Sequence, residues 1–178
     1  MEMNIFQQDS NQENPATAQG AERIGEHWQA LKYSEPTDEE LPVLAELLVS
    51  NASLEPSKTQ EVLEKMVYLR HWMQLARSNS GHLLGFVSVE PNGPVPGAAY
   101  IRYLLVKPEF RRQGVGSCLL RQARHMALGI VRCTSLILRV DPSDGAAVAF
   151  VREAGFTTLG ALSSKKSGKL RLLMTCEL

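Results

Sequence analysis

The stretch from Tyr100 to Ile130 leaves this chain few ways to fold. Tyr100 to Val106 is rich in β-branched and aromatic residues, so a strand is expected there, and Pro108 ends it because proline has no N–H to give a ladder. Val115, Leu119, Ala123, Met126, Ala127 and Ile130 then recur at three- and four-residue steps, which lays one apolar stripe along a helix that Gly129 helps to stop. Between strand and helix stands Arg111-Arg112-Gln113-Gly114-Val115-Gly116-Ser117. The first turn of such a helix offers N–H groups without intrahelical acceptors and the positive end of the helix dipole, both of which attract phosphate oxygens. Gly114 and Gly116 carry no Cβ to hold an anion off the backbone, and Arg111 and Arg112 add positive charge. The arrangement suits a pyrophosphate. The plain alternative is a glycine-rich turn with solvated arginines.

Composition narrows the remaining classes. At 178 residues, 44% of them hydrophobic, the chain suits one domain with a sizeable core. Its 19 basic and 19 acidic residues cancel, and a pI near 6.9 gives no electrostatic reason to expect nucleic acid or a membrane surface as a partner. The cysteines, Cys118, Cys133 and Cys176, are too few and too scattered for a disulfide framework or a zinc cluster, so they read as reduced thiols. His71, His82 and His125 show no metal-ligand spacing, and no metal is expected. No apolar stretch approaches the ~18 residues of a membrane span, and the N-terminus has neither a basic start nor an apolar run, which makes the cytoplasm the expected location.

Residues 1–27 are rich in Gln, Asn, Glu, Ser and Ala and are expected to form a flexible polar leader, with the folded domain over 28–178. A first strand is read from His27 to Ser34. Thr37 with Glu40, and Ser57 with Gln60, have capping-box spacing ahead of apolar steps at Leu41, Leu44, Ala45 and Leu48 and at Val62, Met66 and Leu69, so two helices follow. Pro42 fits only near the first turn of the earlier one. Strand-like runs at 72–77 and 82–90 flank Ser78-Asn79-Ser80-Gly81, a hairpin composition. A Pro- and Gly-rich connection leads to the strand at 98–106, and a last strand pair ends at Leu170 to Leu178, with Lys165-Lys166-Ser167-Gly168-Lys169 as its solvated tip.

Arg111-Arg112-Gln113-Gly114-Val115-Gly116, with Leu104-Leu105-Val106-Lys107-Pro108 before it, resembles the acyl-CoA-binding core of the GNAT superfamily of N-acetyltransferases, whose pattern is Arg or Gln, two residues, Gly, any residue, then Gly or Ala. Leu136 to Val140 resembles the family's next strand, and Asp144 to Phe156 its following helix with the Gly-Phe ending. The resemblance implies an α/β fold: a mixed, mostly antiparallel central sheet with splayed central strands, flanked by helices. It also implies acetyl-CoA as co-substrate and an amine as acceptor, on a small molecule, peptide or protein. The pantetheine would lie against main-chain groups of Leu104, Leu105 and Val106, and the pyrophosphate on the amides of Arg112, Gln113, Gly114, Val115, Gly116 and Ser117, with Arg111 beside it. The family's Asn contact on the pantetheine falls on Asp144, for which a helix N-cap, shared with Ser143, is the alternative.

The customary catalytic positions differ. The family's Tyr general acid falls on Val151, and its Glu general base on Arg102 or Arg139, which cannot deprotonate in proteins. Tyr100 or Tyr103, or a water chain, is left as the proton-transfer group, though strand aromatics are more often core. Cys118, in the first helical turn, reads as inert packing. Arg102 and Arg139 suit a carboxylate or phosphate, which gives an anionic acceptor, or an acidic acyl-CoA such as succinyl-CoA, as an expectation; each could instead pair with Glu90, Asp141 or Glu153. A sensor that binds acyl-CoA without turning it over is the reading from another class. Monomer and homodimer both remain open.

Overall fold

The computed structural model describes residues 31–52, 54–91, 93–129, 132–163 and 168–178. The expected leader, residues 27–30 of the expected first strand, and residues 165–167 of the expected hairpin tip lie outside them.

Seven strands form one sheet in the order β1-β2-β3-β4-β5-β7-β6. They are β1 (Lys32–Ser34), β2 (Met73–Arg77), β3 (Leu83–Glu90), β4 (Ala98–Val106), β5 (Ser135–Val140), β6 (Thr157–Ser163) and β7 (Leu170–Glu177). Every neighbouring pair is antiparallel except β4 with β5. Parallel neighbours need a crossover, and the helix read from the Val115 stripe provides it. The helices are α1 (Glu40–Asn51), α2 (Thr59–Leu69), α3 (Val115–Gly129) and α4 (Gly145–Glu153).

The apolar periods decide which face each helix covers. Val115, Leu119, Leu120, Ala123, Met126 and Ala127 of α3 are buried against Leu84, Val87, Ala99, Ile101, Leu136 and Leu138, and Val151 of α4 joins the same cluster. Leu41, Leu44 and Leu48 of α1, with Val62, Met66 and Leu69 of α2, bury the opposite face over Met73, Leu75, Phe86 and Leu105. Pro42 sits third in α1, where its missing N–H would have had no helical acceptor.

Local differences from the sequence reading have local causes. Glu40 reaches back to the Thr37 N–H at 3.0 Å, which is half of the expected capping box. Ser57 does not cap α2. A 3₁₀ turn, Pro56–Lys58, forms first because proline pre-sets its opening residue, so the Ser57 hydroxyl turns to Glu55 and the Gln60 amide reaches forward to Glu64. Trp72 belongs to a second 3₁₀ turn, Arg70–Trp72, and β2 starts one residue later. The 78–81 hairpin forms as its composition implied, with the Ser78 N–H on the His82 carbonyl and Gly81 at φ 88°.

Candidate active site

A gap opens between β4 and β5. Only Ala98 with Ser135, Ala99 with Leu136 and Tyr100 with Ile137 are paired, although β4 continues to Val106 and β5 to Val140. On the other side of β4 the register shifts: Ser88 faces Tyr103 but Val89 faces Ile101, so Arg102 is an extra residue. A bulge bends its strand and raises the local twist, and this one lies where β4 leaves β5. The Lys107 N–H bonds the Leu84 carbonyl of β3 at 2.9 Å. By strand alternation, the backbone groups of Leu105 and Tyr103 also face β3, and those of Leu104 and Val106 face the gap. The expectation that Leu105 lines the gap with its neighbours is therefore corrected: its backbone pairs with Phe86 and its side chain lies in the α1–α2 core.

The loop at the end of β4 delivers α3 to the mouth of this gap. A 3₁₀ turn, Pro108–Phe110, is followed by Arg112 at φ 60° and Gly114 at φ 84°. A left-handed arginine is uncommon and costs of order 1 kcal/mol, whereas glycine adopts the same region freely. The Cys118 N–H donates to the Gly114 carbonyl at 3.1 Å, the first bond of the helix, so the N–H groups of Val115, Gly116 and Ser117 have no intrahelical acceptor. Arg111 does not simply project into solvent: its Nε donates to the Val106 carbonyl at 3.1 Å and its Nη2 to Asn51 Oδ1 at 3.2 Å, which ties the loop to the end of α1. Gln113 likewise braces the loop through the Glu109 carbonyl. Gly116 packs under α4, where a Cβ would stand 3.0 Å from Phe150 Cζ and 3.6 Å from Val106 Cγ2. Its missing side chain thus serves close packing.

Asp144 is the N-cap of α4, accepting the Ala147 N–H at 2.9 Å. Ser143 does not share the cap; its N–H and hydroxyl both go to Asp141. Val151, one helical turn from Ala147, is buried in the core and brings no proton to the gap.

On the opposite sheet face, a groove of about 460 Å³ lies between α2 and β4, lined by Glu61, Val62, Glu64, Lys65, Tyr68, Arg102 and Tyr103. Its floor is an ion network. Glu90 Oε2 accepts Nε and Nη2 of Arg102 at 2.9 and 2.5 Å, and Oε1 accepts Lys65 Nζ at 3.0 Å. Burial pushes the Glu90 carboxyl up, but the bonds and charges of Arg102 and Lys65 outweigh it and hold the group below its ordinary value. The anion expected beside Arg102 is therefore the protein's own Glu90, the alternative that the sequence had left open. Arg139 differs. It meets no carboxylate among the described residues and lies over the Tyr100 ring, 5.6 Å from its centroid, with Arg102 at 4.8 Å from the same ring. Burial raises the phenols of both Tyr100 and Tyr103 above the usual tyrosine value, against the opposing pull of nearby arginines. Neither is a base near neutral pH; each can donate a proton.

The model of the Acetyltransferase (GNAT) family matches residues 41–156 of this sequence. The chain belongs to the GNAT acetyltransferase family. Two solved structures share the fold at low identity. Ard1 from Thermoplasma volcanium superposes with a TM-score of 0.69 at 17% identity, over 83% of this chain and 97% of that one. A spermidine N-acetyltransferase from Vibrio cholerae, solved with CoA and spermine, gives 0.65 at 17% identity over 83% and 95%. No curated protein matches the chain in sequence.

As a GNAT acetyltransferase, the protein has a family whose co-substrate is acetyl-CoA. The sequence had named Glu90 only as one possible counter-ion, and it missed Asn51 and Phe150 altogether. Phe150 stood in an apolar helix stripe and Asn51 at a helix end, and no spacing rule connects either to its loop partner, 34 residues from Phe150 and 60 from Asn51.

Proposed function

We propose that the protein transfers an acetyl group from acetyl-CoA to an amine by direct attack on the thioester. The observation that carries this reading is the strand gap that ends at the free N–H groups of α3. The pyrophosphate is assigned to the amides of Arg112 through Ser117, where the dipole and the left-handed turn favour an anion. The pantetheine is assigned to the gap, bonding the backbones of Leu104 and Val106. This leaves the thioester near the bulge at Arg102, with the α2–β4 groove open to the incoming amine.

The attacking amine gives its excess proton to water, the C–N bond forms, and the C–S bond breaks. Tyr103 lines the groove, and burial keeps its phenol protonated, so it is the candidate donor to the departing thiolate and recovers its proton from solvent. Rate then comes largely from positioning. One specific observation favours a second reading, a sensor that binds acyl-CoA without turnover: Val151 is buried and Arg102 is engaged with Glu90, so neither customary catalytic position holds an acid or a base.

Calorimetric titration of CoA, paired with thiol release from acetyl-CoA over an amine panel, tests both. Gly116→Asp places a carboxylate in the first turn of α3, where it suits the helix dipole but repels phosphate. CoA affinity is expected to fall at least ~100-fold in a protein that remains folded, since one lost charged contact is worth roughly 1.5–3 kcal/mol and repulsion adds to it. Unchanged affinity sinks the loop assignment. Tight CoA binding with no amine-dependent thiol release selects the sensor.

A further inference from the structure

Lys65, Arg102, Arg139 and Arg171 gather on the sheet face that carries α1 and α2. Arg139 pairs with Leu173 in the β5–β7 register, and Leu173 packs with Tyr100 and Ile137, so these side chains share that face. Strand alternation puts Arg171 there too. The two carboxylates among them are committed. Glu90 holds Lys65 and Arg102, and Asp141 holds Arg171 together with both donors of Ser143. Arg139 is exposed and has no carboxylate within ion-pair distance among the described residues.

Its position is nonetheless fixed. The Tyr100 ring beneath it is 5% exposed, held by Ala98, Ile137 and Val95, and carries Arg102 as a second guanidinium. A guanidinium laid on an aromatic face keeps its N–H edge free for a planar anion and loses less freedom when it binds one. Tyr100 and Ile137 form the last rung before the gap, and Arg139 lies two residues further along β5, roughly 7 Å. A small acceptor can therefore place its carboxylate on Arg139 and its amine at the gap.

We propose that Arg139, seated on Tyr100, binds a carboxylate of the acceptor, so that the substrate is an amine bearing a carboxylate group, such as an amino acid or the C-terminal unit of a short peptide. This rests on the acetyltransferase reading above and specifies its acceptor. The class excludes polyamines, which carry no anion for this site.

Two measurements separate the inference from the reading beneath it. Thiol release from acetyl-CoA is followed with amino acids and their matched amides, using wild type, Arg139→Gln and Arg139→Lys. Separately, N-acetyl amino acids and N-acetyl amino amides are titrated into the CoA-bound protein by calorimetry. The acids are expected to be preferred at least tenfold in both, the preference to vanish in Arg139→Gln through KM and product affinity, and Arg139→Lys to recover part of it, with CoA affinity unchanged throughout. Arg139-dependent binding of the acids without turnover supports the subsite and overturns only the enzymatic reading. Turnover of amides or spermine as good as that of the acids, a preference that survives Arg139→Gln, no binding of any N-acetyl acid, or an Arg139-dependent preference for succinyl-CoA over acetyl-CoA overturns the inference.

Discussion

Replacing Glu90 by glutamine removes the single charge that holds α2 to the β4 bulge. The carboxylate accepts three hydrogen bonds, two from Arg102 and one from Lys65. Glutamine keeps one acceptor oxygen and turns an N–H₂ group toward a cation, so at least one of the three bonds is lost and those that survive keep a charged donor but lose the charged acceptor. A charged hydrogen bond is worth roughly 1.5–3 kcal/mol, and breaking a fully buried pair costs about 3–5 kcal/mol. The Glu90 side chain is 11% exposed, but those of Arg102 and Lys65 are 33% and 34% exposed, so both cations can regain water. The lower end applies, about 2 kcal/mol, which for a chain of this size corresponds to a fall in Tm of roughly 4–8 °C.

The pH dependence identifies the group responsible. Because the folded Glu90 pKa is depressed, its contribution is fully present above the unfolded value near ~4.3 and disappears as pH falls through the lower folded value. Urea unfolding of both proteins from pH 8 down to about pH 2.5 should therefore give a constant difference across neutral pH that begins to shrink only below about pH 4.3. A difference below ~0.5 kcal/mol at pH 7, within the usual scatter for surface changes, refutes the role assigned to the network. So does a difference that already shrinks between pH 8 and pH 6, which belongs to some other group.

The other expected outcomes test the strand geometry and the proton donor. Gly85→Ala would set a Cβ 2.3 Å from the Leu105 carbonyl oxygen and 3.1 Å from Leu119 Cδ1, in a central strand with no room to retreat; destabilisation of about 3 kcal/mol or more is expected by urea unfolding, and a near-neutral change would show that β3 and β4 do not pack as described. Tyr103→Phe keeps the ring and removes the hydroxyl, so kcat should fall roughly 10²-fold or more with CoA affinity unchanged, whereas unaltered kcat removes Tyr103 from proton transfer.

How legible the site was depended on how far apart in the chain its parts lie. The α3 loop could be read because strand, turn and helix are consecutive, and each is announced by local chemistry: Pro108 stops the strand, Gly114 permits the left-handed turn, and the Val115 stripe supplies the helix. Asp144 was ambiguous in sequence between cap and ligand contact, and the Ala147 N–H decided for the cap. The two arginines were ambiguous in the same way. Both stand on strands at positions where the family pattern has a base, and only their neighbours distinguish them: Arg102 is beside Glu90, while the acid nearest Arg139 in sequence, Asp141, is held by Arg171.

By itself the sequence determined the element order, the faces of α1, α2 and α3, the phosphate-like loop and its likeness to the acetyltransferase core, because these depend on residues within a few turns of one another. Tertiary structure alone decided where β4 leaves β5, which backbone groups face the opening, that Phe150 fills the space Gly116 leaves, and that of Arg102 and Arg139 only the first has a carboxylate partner among the described residues. Those outcomes depend on a one-residue shift in strand register and on side chains brought together from distant parts of the chain. A bulge moves every following residue relative to its partner strand, and no local pattern records which residue will be the extra one.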